Sequence, residues 1–176
     1  MARGGMGQAA ESHVVDRIRS LPGWEALNAN SVRVNQPGFD VLAVSVAGRE
    51  LRVSVKSVST GGSRHDYAIG RSFERYPADL YAFVDMTAGS PGTVYLAGAR
   101  TVEELAIERH RKYQADRGRE PSPNSWAPKV SRALLDAMRA REAWSLLDDP
   151  APATNPPVTD ELRERARADA PRPRGT

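Results

Sequence analysis
Two β-branched, apolar runs of nearly equal length, Phe39 to Val46 (FDVLAVSV) and Glu50 to Val58 (ELRVSVKSV), are separated only by Ala47-Gly48-Arg49. The second run alternates cleanly between apolar and polar residues, the period of a strand with one buried face. Two such runs around a short glycine-bearing connection form a hairpin, which commits the middle of the chain to a sheet. Leu80 to Met86 (LYAFVDM) and Thr93 to Ala97 (TVYLA) read as two more strands joined through the turn Ala88 to Gly92. Trp24 to Leu27 and Ser31 to Val34 read as one interrupted strand or two short ones, before the turn Pro37-Gly38.

Helices frame these strands. Ala10, Val14, Ile18 and Leu21 recur at helical spacing, so a first helix is expected from about Met6 to Ser20, stopped by Pro22-Gly23. Thr101 is placed to cap a second helix reaching Tyr113, with Val102, Leu105 and Ala106 turned inward. Val130, Leu134, Leu135 and Met138 mark a last helix ending near Trp144 and Leu147. Ser59 to Ser72, with Gly61-Gly62, and Gln114 to Pro128 read as loops. The expected fold is α/β, a mixed central sheet with flanking helices. Six of the 13 prolines fall in Pro150 to Thr176 among alternating acids and arginines. A segment of that composition buries too little apolar surface to offset its ordering entropy. The folded domain is therefore expected to span 1–149, with 150–176 a disordered tail in which Leu162 to Ala168 forms at most a transient helix.

Composition excludes several kinds of chemistry. The 176 residues contain no cysteine, which removes disulfides, zinc–thiolate sites and cysteine nucleophiles, and is compatible with a reducing interior such as the cytoplasm. No apolar run reaches the ~18–20 residues of a membrane span. Met1 to Ala10 does not read as a signal peptide. A net charge of +3 permits a nucleic-acid partner without demanding one.

Lys56 stands out on the second hairpin strand. Leu51, Val53 and Val55 share one face, and Arg52, Ser54 and Lys56 the other. A lysine there is either a rim residue with its ammonium in water or a functional cation. Asp40, just after the Pro37-Gly38 turn, is either a turn aspartate bonding the local backbone or a ligand. A tight turn around Gly48 would place Asp40 roughly opposite Lys56, and Leu42 near Ser54. Glu11 follows the register Glu11, Val15, Ile18, so it projects from near the apolar face of its helix, either as a first-turn acid favoured by the dipole or as an acid aimed at the sheet.

Taken in order, a helix bearing Glu11, then PGFD ending in Asp40, then a strand ending VSVKS with Lys56, resemble the PD-(D/E)XK group of restriction endonuclease-like proteins. The resemblance covers about Gly7 to Ala97, including ADLYAFV from Ala78 to Val84, and extends loosely to Leu147. It implies a metal-dependent nuclease hydrolysing DNA phosphodiesters in restriction, defence or repair. Glu11, Asp40 and Lys56 would be its catalytic residues, and Glu11 and Asp40 its Mg²⁺ (or Mn²⁺) ligands. In that group an acid stands two residues before the lysine, and some members keep a glutamine there; this chain has Ser54. The departure implies weaker metal binding, or a silent module that binds nucleic acid or another partner on the same fold. DNA is the expected partner, RNA stays open, no membrane is implied, and a homodimer is one assembly open to it.

Ser54, Arg64, His65, Arg71 and Arg75 are candidate nucleic-acid contacts; for the loop residues the alternative is solvated surface. His13 reads as a helix-surface residue, and Arg109-His110-Arg111-Lys112 as a basic helix end. Trp126 and Trp144 read as packing anchors. Gly4, Gly5 and Gly7 follow no strand, so they form no dinucleotide fingerprint, and Ser54 lacks a nucleophile elbow.

Overall fold
Every residue of the strand Val94 to Gly98 is buried, whereas the strand Trp24 to Asn28 alternates between buried and exposed. A strand packed on both faces reads as continuously apolar, and one packed on a single face alternates. The difference marks the two edges of one sheet, one covered on both faces and the other on a single face. The computed structural model describes residues 3–29, 38–59, 66–69, 78–118, 128–149 and 158–170. In chain order the elements are α1 (Arg3–Arg19), β1 (Trp24–Asn28), β2 (Val41–Ser45), β3 (Glu50–Ser59), β4 (Asp66–Ala68), β5 (Leu80–Met86), β6 (Val94–Gly98), α2 (Ala99–Asp116), β7 (Lys129–Ser131), α3 (Arg132–Ala137), a 3₁₀ turn (Trp144–Leu147) and α4 (Asp160–Ala168). No described helix is long and apolar enough to cross a membrane.

The main sheet has the order β1-β2-β3-β5-β6 and is mixed: β3 and β5 run parallel, and the other neighbours antiparallel. Helices flank it, as the strand and helix pattern predicts. On one face Val14, Val15 and Ile18 of α1 pack on Val41, Ala43, Val53, Val55 and Ala82, with Trp144 and Leu147 closing the end. On the other face Phe83, Tyr95 and Ala97 pack under Val102, Leu105 and Ala106 of α2 and under the two-stranded sheet of β4 and β7. Tyr67 of β4 tilts against Phe83 at 5.1 Å between ring centroids. Burying a Val-, Ile- or Phe-sized side chain contributes about 1.5–3 kcal/mol, so these two layers supply most of the driving force. Only the α1 face of β1 is buried: on the other, Leu27 is 49% exposed.

Four local expectations change. The helix α2 starts at Ala99 straight out of β6, with Gly98 as N-cap and no side-chain cap; Thr101 is buried inside the first turn and does not cap. The Val130–Met138 run is divided between β7, which pairs with β4, and the short α3, capped by the Ser131 hydroxyl accepting from the Leu134 amide. Asp66 to Ala68, read as loop, is that partner strand. The fourth change is in the tail. Thr159 caps α4, and Leu162 and Ala166 are buried against the α2 layer. Arg163 pairs with Glu104 at 3.4 Å and Arg167 with Glu108 at 2.5 Å. A proline-rich average composition hides this nine-residue amphipathic helix, two of whose arginines find their acids on α2, while Arg165 pairs with Glu161 within the helix at 3.6 Å. Residues 150–157 and 171–176 lie outside the described residues, as do Ser31 to Val34 and Trp126.

Beneath that contact Arg109 of α2 is only 2% exposed. Its guanidinium donates to both carboxylate oxygens of Asp66 at 3.1 Å, to the Lys129 carbonyl at 3.3 Å and to the Asp169 carbonyl at 3.3 Å. One side chain thereby ties β4, β7 and the end of α4 to α2.

Candidate active site
The hairpin turn sets what faces Asp40. Ser45 donates its amide to the Arg49 carbonyl, and Gly48 its amide to the Ser45 carbonyl, both at 2.9 Å. Gly48 has φ +79°, so Val46-Ala47-Gly48 is a three-residue loop with the left-handed residue last. The ladder therefore closes on Ser45 and Arg49 and runs Val44–Glu50, Ala43–Leu51, Leu42–Arg52, Val41–Val53. This register is two residues away from the expected one: Asp40 comes level with Ser54, not Lys56, and Leu42 pairs with Arg52. Because side chains alternate in twos, the shift leaves Ser54 and Lys56 on the same face of β3.

Asp40 sits at a bend before β2, its amide bonded to the Val53 carbonyl and its carbonyl accepting from the Ala29 amide, both at 2.9 Å. Its carboxylate Oδ2 accepts from the Val55 amide at 2.6 Å and from the Ser54 hydroxyl at 3.3 Å. The side chain thus takes over where the β2 backbone stops pairing, as an acceptor for a β3 amide. Ser54 is 5% exposed, so its hydroxyl serves to orient the aspartate rather than to present a surface. Lys56 lies two residues further along β3, level with Phe83 of β5 and half-buried. Among the described residues it makes no ion pair.

Glu11 of α1 accepts from the Asn28 side chain at 3.0 Å. Asn28 is the β1 partner of Val41, and Ala29 bonds Asp40, so Glu11 is linked to the Asp40 end of the sheet from the α1 side. The fold brings Asp40 and Ser54 into contact, sets Lys56 on the Ser54 face of the sheet, and ties Glu11 to that end through Asn28. Arg64, His65, Arg71 and Arg75 lie outside the described residues.

Two further residues belong to this neighbourhood. Tyr81 of β5 is the cross-strand partner of Ser54, is 2% exposed, and stacks on Phe83 at 5.7 Å. Its hydroxyl donates to Glu103 Oε1 on α2 at 3.4 Å. Burial first, then the charge of Glu103, raises the Tyr81 phenol above its ordinary range, and the charge of Asp40 also contributes. Burial pushes the Glu103 carboxyl up to about 7, against the opposing effect of the Tyr81 hydrogen bond. The signal in the sequence is slight: Glu103 flanks the inward stripe Val102, Leu105, Ala106 and looks like one of several surface acids of the helix.

Among the described residues no group of three or more His, Cys, Asp or Glu side chains is placed to hold a metal ion. Mg²⁺ commonly takes only one or two protein carboxylates and completes its shell with water and phosphate. Asp40 fits such a ligand: only its Oδ2 is engaged among the described residues, which leaves Oδ1 available.

The chain resembles an endonuclease in fold. The solved structure of a bacterial homing endonuclease, I-Ssp6803I, superposes with a TM-score of 0.53, covering 83% of this chain and 91% of that one at 16% identity. At that identity the likeness is one of fold. No sequence family matches the chain, and no curated protein matches it significantly.

Proposed function
We propose that this chain is a metal-dependent nuclease that hydrolyses phosphodiester bonds in DNA. The observation that carries the reading is the arrangement of Asp40, held by Val55 and Ser54 at the mouth of the hairpin, with Lys56 further along the same strand, in a fold shared with a homing endonuclease. Asp40 would hold Mg²⁺ or Mn²⁺, and Glu11, at the same end of the sheet, would contribute from α1. The bound cation would polarise the scissile phosphate and lower the pKa of attacking water. Ser54 keeps the Asp40 carboxylate aimed. The Lys56 ammonium offsets the charge that builds on the phosphate oxygens, where a pre-positioned cation is most effective. Restriction, defence or repair is the setting that such an activity suggests. DNA backbone contacts by Arg64, His65, Arg71 and Arg75 belong to the same proposal.

A second reading has its own support. With Ser54 bonded to Asp40 and no three-donor cluster among the described residues, the same surface suits a module that binds nucleic acid without cutting it. Incubation of wild type, Asp40→Asn and Lys56→Ala with duplex and single-stranded DNA, with Mg²⁺, Mn²⁺ or EDTA, separates the two. Cation-dependent cleavage lost in both variants establishes the nuclease. Salt-sensitive binding with no cleavage under any condition establishes the silent module.

A further inference from the structure
Three acids lie close together on α2, and they are not equivalent. Glu104 has Arg100 at 3.3 Å and Arg163 at 3.4 Å, and Glu108 has Arg167 at 2.5 Å. Glu103 has no cation among the described residues; its partner is the buried Tyr81 hydroxyl. Position matters as much as pairing. Tyr81 stands beside Ser54 on the sheet face away from α1, and its hydroxyl lies within electrostatic reach of both Asp40 and Glu103. A half-buried carboxyl left without a compensating charge weakens the folded state when it ionises, whereas the neighbouring helix positions show that arginine partners are accessible to this helix. Carboxyls tuned by burial towards neutral pH are the ones suited to take a proton during turnover.

We propose that Glu103 is a further residue of the site, the proton acceptor for the attacking water, with Tyr81 as the positioning residue that orients its carboxylate. The inference rests on the nuclease reading above. In the step, the water oxygen forms a bond to phosphorus as its proton passes to Glu103. The bond from phosphorus to the leaving sugar oxygen breaks, and that oxygen is protonated from solvent. The proton on Glu103 then returns to solvent, so the enzyme is restored. The charged and titratable groups around Glu103 are Tyr81 from β5, with Asp40 before β2 acting on the Tyr81 hydroxyl, Arg100 and Glu104 on its own helix, and Arg163 of α4 behind Glu104.

The test is single-turnover cleavage of duplex DNA in Mg²⁺ between pH 5.5 and 9 by wild type, Glu103→Gln, Glu104→Gln and Tyr81→Phe, with DNA affinity measured alongside. In wild type and Glu104→Gln the rate should rise through about pH 7 and level off. In Glu103→Gln that limb should vanish and the rate at pH 8 fall by roughly 10²–10⁴-fold at unchanged DNA affinity, the range for a lost acid–base group. In Tyr81→Phe the midpoint should move to higher pH, because the lost hydrogen bond favoured the carboxylate. A limb unchanged in Glu103→Gln overturns the inference while leaving the nuclease intact. Absence of cleavage by wild type overturns the nuclease and the inference with it. Thermal unfolding of each variant confirms that it is folded; Glu103→Gln is isosteric and removes a charge that burial disfavours.

Discussion
Replacing Asp40 by alanine removes the acceptor of the Val55 amide, and a buried amide left unpaired costs about 1–3 kcal/mol. Asparagine keeps an oxygen in the same place. Asp40→Asn should therefore unfold in urea within about 1 kcal/mol of wild type while losing its response to Mn²⁺ in calorimetric titration, and Asp40→Ala should lose both stability and metal response. Lys56→Ala, at a half-buried strand position with no ion-pair partner among the described residues, should change stability by less than about 1 kcal/mol. A second prediction concerns Glu103. Its carboxyl titrates near 7 in the folded protein, above the ordinary value of 4.5, so the folded state holds the proton more tightly than the unfolded chain. That contribution is fully present below about pH 4.5 and is lost as pH rises through 7. Glu103→Gln should melt above wild type at pH 8 and level with it at pH 4.5; equal melting curves at both would show that the carboxyl is not destabilised by burial. The placement of Asp40 and Lys56 on the hairpin was legible in the sequence because strand alternation and turn chemistry both leave marks on neighbouring residues. The contact of Glu103 with Tyr81 was not, because what distinguishes Glu103 from Glu104 is which side of a helix meets the sheet.

Among the elements, α4 carries the clearest stability prediction. Leu162 is buried against the α2 layer, so Leu162→Ala should cost about 2 kcal/mol, towards the lower end for leucine truncations. Arg109→Met leaves the nearby Asp66 without its cation and should cost about 3 kcal/mol by urea denaturation. A loss below about 1 kcal/mol would mean that Asp66 recovers its solvation when the arginine is removed. The long strands and α1 were visible as periodic patterns within two or three residues of their ends. The β4–β7 pair was not: three-residue strands are too short to show a period, and Asp66 and Ser131 find each other only because α2 lies between them in sequence and beneath them in space. The two-residue error in the hairpin register has a local cause, since residue types mark Gly48 as the left-handed residue but do not say whether it stands at the centre of the loop or at its end.

For the molecule as a whole, the mixed sheet between α1 and the α2 layer was predictable from the order of strands and helices, and the shared fold with an endonuclease agrees with it. The docking of α4 was not, because tail composition averages over a nine-residue helix whose buried face meets the α2 layer. If the Lys56 face meets DNA, affinity should fall linearly with salt on logarithmic axes, and Lys56→Ala should reduce the slope by about 1 if its ammonium contacts a phosphate. Fluorescence anisotropy at several salt concentrations measures this directly.

The partners of Arg109 have a bearing on how the chain reaches this state. Asp66 lies 43 residues before it, and the carbonyl of Asp169 lies 60 residues after it. The β2–β3 hairpin can form early from neighbouring residues, but α2 cannot settle with its arginine fully compensated until both distant segments have arrived. Contacts of such sequence separation are slow to close. Variants at Arg109 should therefore act mainly on the unfolding arm of a chevron plot and leave the refolding arm nearly unchanged, the behaviour of a residue whose interactions form after the rate-limiting barrier.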